Sequence, residues 1–234
     1  MVDLSTTVIG QPVADGIGQI SGFVNCYTFQ VGEELYLIDT GLQRRARSVV
    51  RAFRRANVPL TRVRRVLLTH HHVDHRGGAA FLLENAHAPI SSHTDDVPFV
   101  TGSQREPLSF LMRLFVRARP APVATALADG DQVGPLTVVH TPGHTPGEVV
   151  FYHPGRKILF SGDCVVERQG RLTLPAPKYA SNLEQAVRSL ERLRSLDIEL
   201  LLPGHGAPVT QRVSGLLSDL IQRAPAQYLE RPAK

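Results

Sequence analysis

An apolar, strand-sized run from Val63 to Thr69 passes without a break into His70-His71-His72-Val73-Asp74-His75, then into Arg76-Gly77-Gly78 and an apolar helical stretch. Few folds accommodate a strand that ends in metal-binding side chains and turns at once into a helix. Alternate residues of an extended segment point the same way, so His70 and His72 can share one ion. Where the chain bends into the helix, Asp74 and His75 project to the other side of the turn and can hold a second ion. His71 falls out of phase with both pairs and is read as a surface or supporting residue.

One run cannot complete two metal shells, so further donors must come from elsewhere. The only cysteines are Cys26 and Cys164, which excludes a disulfide framework and a cysteine-rich zinc site. Three candidates remain, each at the C-terminal end of an expected strand: His144 in Thr141-Pro142-Gly143-His144, Asp163 in Ser161-Gly162-Asp163, and His205 in Pro203-Gly204-His205-Gly206. Glycine and proline flank all three, as expected where backbone must closely approach a buried centre. His87, His93, His140 and His153 are read as structural or exposed, with His140 near the pocket, and Cys164 as a small buried residue facing away from it.

Apolar runs bounded by turn residues alternate with helix-period segments, an α/β pattern. Strands are expected at Thr7 to Ile9, Phe23 to Gln30, Leu35 to Asp39, Val63 to Thr69, Leu136 to His140, Val149 to Tyr152, Lys157 to Ser161 and Glu199 to Leu202. Helices are expected at 43–56, 77–86, 107–118, 182–195 and 211–223. Ser181-Asn182-Leu183-Glu184 reads as a capping box with Ser181 as N-cap. Strands leading to Asp39-Thr40-Gly41 and to Ser161-Gly162-Asp163 make the two halves echo each other, with Arg119 to Thr125 as the crossing between them. The reading is a single domain over 1–234, with a lid or pocket insertion at about 95–125.

The 42% hydrophobic and 20% charged content is that of a globular protein. No apolar run approaches the ~20 residues that cross a bilayer, and the N-terminus lacks signal-peptide features, so a cytoplasmic location without membrane partners is expected. Much of the +5 net charge lies in Arg44, Arg45, Arg47, Arg51, Arg54, Arg55, Arg62, Arg64 and Arg65. Without interleaved aromatic residues for base stacking, this stretch is read as a solvated helix face rather than a nucleic-acid surface.

The ordered set His-x-His-x-Asp-His, Pro-Gly-His, Gly-Asp and Pro-Gly-His-Gly resembles the metallo-β-lactamase superfamily from about Gly22 to Val209. The resemblance implies an αββα sandwich of two mixed sheets flanked by helices. It implies that His70, His72 and His144 bind one ion, that Asp74, His75 and His205 bind a second, and that Asp163 bridges them. The ions would be two divalent metals, zinc by preference, with iron or manganese as alternatives. Asp39 would support the ligands from behind. Two such ions sharing a water lower its pKa enough to supply hydroxide near neutral pH, and Asp74 is the candidate for passing a proton to the leaving group.

Within the superfamily, Asp163 argues against β-lactamases, which lack the bridging aspartate. The 29 residues after His205 are too few for the helical domain of glyoxalase II enzymes. Acyl-homoserine lactonases are similar in ligands and length. The apolar segment 107–116, with Phe110, Met112 and Phe115, reads either as a lid over an acyl chain or as an ordinary docked helix. These lactonases usually carry a Tyr where this chain has Val166, and Tyr179 is the candidate substitute. A persulfide dioxygenase, with one iron on His70, His144 and Asp163, is the alternative reaction class. A phosphodiesterase or nuclease is disfavoured because no RNA-binding arm is evident. The resulting expectation is hydrolysis of a small lactone, ester or thioester, with a lactonase-like activity favoured. The partner is a small-molecule substrate, and a homo-oligomer is allowed.

Overall fold

The computed structural model describes residues 8–42, 45–105 and 118–229. These form two compact units, Met1–Leu127 and Ala128–Lys234. Each has its own mixed sheet and its own apolar core.

The first unit carries a seven-stranded sheet whose strands lie in chain order: β1 (Gln11–Ala14), β2 (Ile17–Ile20), β3 (Cys26–Val31), β4 (Glu34–Ile38), β5 (Val63–Leu67), β6 (Ile90–His93) and β7 (Thr125–Leu127). The first four form an antiparallel meander, and β4 to β7 run parallel. Parallel neighbours need crossovers. Helix α1 (Arg47–Arg55) joins β4 to β5, and α2 (Val73–Arg76) with α3 (Ala79–Ala86) joins β5 to β6. A further short helix, α4 (Val97–Thr101), follows β6. Val49 and Phe53 bury the inner face of α1 among Leu35, Leu37, Val66, Leu82 and Ile90, leaving its arginines outside.

The second unit holds a five-stranded sheet built from β8 (Gln132–Val133), β9 (Leu136–His140), β10 (Val149–His153), β11 (Ile158–Gly162) and β14 (Leu200–Pro203), in the order β14-β11-β10-β9-β8. Only β11 and β14 are parallel. The crossover between them contains the hairpin β12 (Val166–Arg168) and β13 (Arg171–Thr173), then α5 (Leu183–Leu193). Its core gathers Val150, Leu159, Leu190, Leu193 and Leu201 with Leu217, Leu220 and Ile221 of α6 (Val213–Ala224). The echo between the halves is topological. In each unit a hairpin (β3–β4, β10–β11) is followed by a crossover to a strand parallel to its second member, and Asp39 and Asp163 both follow that second member.

Several expectations shift. No strand forms at Thr7 to Ile9 among the described residues. Instead Ile9 is buried and its carbonyl accepts a hydrogen bond from Thr28 Oγ1 at 2.7 Å. Strands β2, β6, β7, β8, β12 and β13 are two to four residues long, too short for alternation to mark them. The N-cap of α5 is Asn182, whose side chain accepts from Gln185 N at 3.0 Å. The Ser181 hydroxyl instead donates to the Gly143 carbonyl. The helix expected at 107–118, with Phe110, Met112 and Phe115, lies outside the described residues except for its last position. No described helix is long and apolar enough to cross a membrane.

Candidate metal centre

In the first unit the backbone leaves β5, runs through His70 to His72 and enters α2. The imidazoles of His70 and His72 stand edge to face with centroids 4.9 Å apart, and the turn brings the His75 ring to 4.0 Å from that of His70. The two expected donor pairs are therefore neighbours around one point of the loop. His70 and His75 are fully buried. The Asp74 side chain keeps 23% of its surface exposed and its Oδ2 stands 3.9 Å from His75 Nε2.

Asp39 explains how these rings are aimed. It is buried and held at φ 58° in the left-handed region, where the chain reverses after β4. Its Oδ1 accepts from Thr69 N at 2.9 Å, and its Oδ2 accepts from the Thr69 hydroxyl and from His75 Nδ1, both at 2.8 Å. An ionised carboxylate only accepts, so the His75 proton sits on Nδ1 and leaves the Nε2 lone pair for a ligand. The Thr69 hydroxyl, which donates to Asp39, accepts from His70 Nδ1 at 3.1 Å, which sets the ring proton on Nδ1 there as well. Thr40 completes the brace, its backbone N–H and its hydroxyl both donating to the His75 carbonyl. Asp39→Asn keeps the size but puts a donor amide among these donors. It is expected to weaken metal binding by roughly 10- to 100-fold, measured by competition with a chromophoric chelator. Unchanged affinity would show that Asp39 does not orient His75.

His71 is not a surface residue. Its ring is buried and stacked on Phe99 at 4.0 Å and 8°. Fully buried Asp96 holds it, taking the His71 backbone N–H at 2.8 Å on one oxygen and standing 2.9 Å from Nδ1 with the other. Arg76 Nε donates to the His71 carbonyl at 2.6 Å. Asp96 thus pins the backbone between His70 and His72. Sequence reading missed it because a buried carboxylate contributed from beyond β6 leaves no local spacing.

In the second unit His144 occupies the turn after β9, Asp163 follows β11, and His205 follows β14. Asp163 Oδ2 lies 3.5 Å from His144 Nε2 and 3.6 Å from His205 Nε2. Donors about 2.0–2.2 Å from a tetrahedral ion stand about 3.4 Å apart. Each imidazole nitrogen therefore stands from the carboxylate oxygen at the spacing of two donors on one ion. Fully buried Glu148, also missed in the sequence, accepts the Asp163 backbone N–H at 2.9 Å and fixes where this side chain starts. The loop bearing His205 is tied to β12, with Glu167 N–H donating to the His205 carbonyl and Glu167 Oε2 accepting from Ala207 N.

Tyr179 is half-exposed in a turn two residues before Ser181, whose N–H donates to the His144 carbonyl. Val166 is buried as the first residue of β12. His140 Nε2 lies 2.9 Å from the Pro146 carbonyl, and the side chains of His93 and His153 accept backbone N–H groups at turns. Burial, reinforced by Glu148 and Asp163, pushes the Cys164 thiol far above its ordinary range, and burial with Asp39 does the same to Cys26. Among the described residues neither cysteine joins a group of converging donor atoms, so the donor set is one of imidazoles and carboxylates.

Residues 21–205 match the family model described as the metallo-beta-lactamase superfamily. A probable metallo-hydrolase of Bacillus subtilis, YybB, is 27% identical, with 80% of this chain and 82% of that protein covered. Human acyl-coenzyme A thioesterase MBLAC2 is 30% identical over 67% of this chain and 61% of its own length. Among solved structures, TTHA1623 in a di-iron-bound form superposes with a TM-score of 0.68 at 29% identity, covering 86% of this chain and 96% of the other.

Proposed function

Because this chain belongs to the metallo-β-lactamase superfamily, we propose that its two sets of donors jointly hold a pair of divalent ions and that it hydrolyses ester-type bonds, thioesters first. The observation that carries this reading is the placement of Asp163 Oδ2 almost equidistant from His144 Nε2 and His205 Nε2. Its environment is one of imidazoles and carboxylates without thiolate, a chemistry suited to zinc, iron or manganese. In this assignment His70, His72 and His144 serve one ion, Asp74, His75 and His205 the other, and Asp163 both. Zinc is the expected metal, and similarity to a di-iron-bound protein makes iron the alternative.

When bound, such a pair supplies Lewis acidity toward a carbonyl oxygen and lowers the pKa of a water between the ions. The chain does the rest. Asp39 and Thr69 hold the imidazole protons on Nδ1, so that the Nε2 lone pairs point outward. Asp96 and Glu148 keep the donor loops from drifting when negative charge develops nearby. Asp74, more exposed than His75 beside it, is the carboxylate placed to pass a proton to the leaving group. A thiol leaving group asks little of that transfer, since its ordinary pKa is ~8.5. Tyr179, beside the His144 turn, is the residue we assign to substrate contact.

Thioesters take precedence over lactones because MBLAC2 is an acyl-coenzyme A thioesterase. The lactone preference rested on ligands, length and the segment 107–116, and of these the segment lies outside the described residues. Metal-replete protein tested on thioesters, lactones, esters and phosphodiesters, with parallel metal analysis and oxygen uptake, is expected to turn over a thioester. It should carry two metal equivalents and consume no oxygen. Chelation should abolish turnover, and a divalent ion should restore it. Failure on every substrate, or oxygen consumption by a one-iron protein, would overturn the proposal.

A further inference from the structure

Between Asp39 and Asp74 the chain contains nine arginines and not one acidic residue. Five of the arginines, Arg45, Arg47, Arg51, Arg54 and Arg55, line a cleft of about 630 Å³ together with Val50 and with Phe81 of α3. All five are exposed, and among the described residues no carboxylate forms an ion pair with any of them. The contrast with other arginines is plain: Arg64, Arg119, Arg188, Arg192, Arg194 and Arg223 each meet an acidic side chain. Concentrating so much uncompensated charge on one helix costs self-repulsion, which an anionic occupant would relieve.

The cleft also has a definite position relative to the metal-binding run. Ala46, between Arg45 and Arg47, is buried, and a Cβ on Gly78 would stand 2.7 Å from the Ala46 Cβ. Gly78 N–H donates to the Thr40 hydroxyl, which donates to the His75 carbonyl. The arginine cleft therefore opens where the loop carrying His75 rests on the start of α1.

We infer that this cleft binds the phosphorylated nucleotide end of a coenzyme A thioester, an inference that rests on the thioesterase reading above. Its volume is that of a small-ligand site. Guanidinium forks pair with phosphate oxygens in bidentate fashion, and coenzyme A carries several phosphate charges at the end remote from its thioester. The partly buried Phe81 is an apolar surface for the adenine. A single aromatic residue is too little for tracking successive bases of single-stranded nucleic acid.

The test uses the full-length, metal-loaded protein and the variant Arg51→Gln/Arg54→Gln, both positions being exposed. Free coenzyme A is titrated by equilibrium dialysis, and KM and kcat are measured for an acyl-coenzyme A and for the same acyl group on N-acetylcysteamine, which lacks the nucleotide. Coenzyme A should bind wild type, and the variant should bind it roughly tenfold or more weakly, the loss expected for removing charge-assisted contacts. The KM for acyl-coenzyme A should rise similarly, with kcat and the N-acetylcysteamine kinetics within about twofold. Wild type that does not bind coenzyme A, or a variant that binds it equally well, overturns the inference. So does a defect seen only with an acylated carrier protein, with RNA or with anionic vesicles. If neither thioester is hydrolysed, the thioesterase reading fails, and coenzyme A binding still decides the cleft.

Discussion

Asp163→Ala is expected to lower kcat/KM by about three orders of magnitude or more, the scale associated with losing a main electrostatic element of a hydrolytic site. The physical basis is the position of Oδ2, 3.5 Å and 3.6 Å from two imidazole nitrogens. A carboxylate there would both neutralise ionic charge and set the spacing of the ions, and alanine does neither. Asp163→Asn separates the two effects, since the amide retains an oxygen donor without the charge. It is expected to fall between wild type and Asp163→Ala in metal affinity. The Asp163 backbone remains anchored to Glu148 in both variants, so the melting temperature without metal should scarcely change. More than a tenth of wild-type activity in Asp163→Ala, with metal content intact, would remove Asp163 from the centre.

Gly143→Ala is expected to be the most damaging small substitution for stability. Gly143 sits at φ +138°, a region that residues with a Cβ avoid, and an added Cβ would lie 2.1 Å from Ala186 N and 2.4 Å from Ala186 Cα. Those atoms belong to the first turn of α5, so relief requires moving the helix or the loop. The loop is not free to move: the Gly143 carbonyl accepts from Asn182 N and from the Ser181 hydroxyl, and its N–H donates to the Thr145 carbonyl. Backbone strain of ~1–3 kcal/mol and overpacking of similar size add to a loss of about 3–5 kcal/mol. For a chain of this length that is a melting temperature lower by about 6–20 °C. Because His144 is the next residue, metal binding should weaken in parallel. A melting temperature within about 2 °C of wild type would show that the turn accepts a side chain after all.

Legibility in the sequence followed distance along the chain. The strand-to-helix passage at 63–86 was readable, since spacing alone dictates which of His70, His72, Asp74 and His75 can converge. So was the placement of His144, Asp163 and His205 at strand ends, because glycine and proline mark sharp turns. Of the two readings of His71, surface or supporting, only the structure could choose, since its burial depends on Asp96 and Phe99, which arrive from another part of the chain. The α5 cap moved by one residue for a similar reason: Ser181 and Asn182 are both good caps locally, and the fold sets the Asn182 oxygen against Gln185 N while the Ser181 hydroxyl meets the Gly143 carbonyl.

What the sequence by itself determined is the donor chemistry and its order: imidazoles and carboxylates, each delivered where a strand stops. Only the tertiary structure decided which nitrogen each imidazole presents and what keeps it there. Asp39 sets the tautomer of His75, Asp96 clamps the backbone at His71 and Glu148 anchors Asp163. Local spacing encodes the direction in which a side chain points. A buried hydrogen bond is made with whichever distant group the fold brings within 3 Å, and no spacing rule records that.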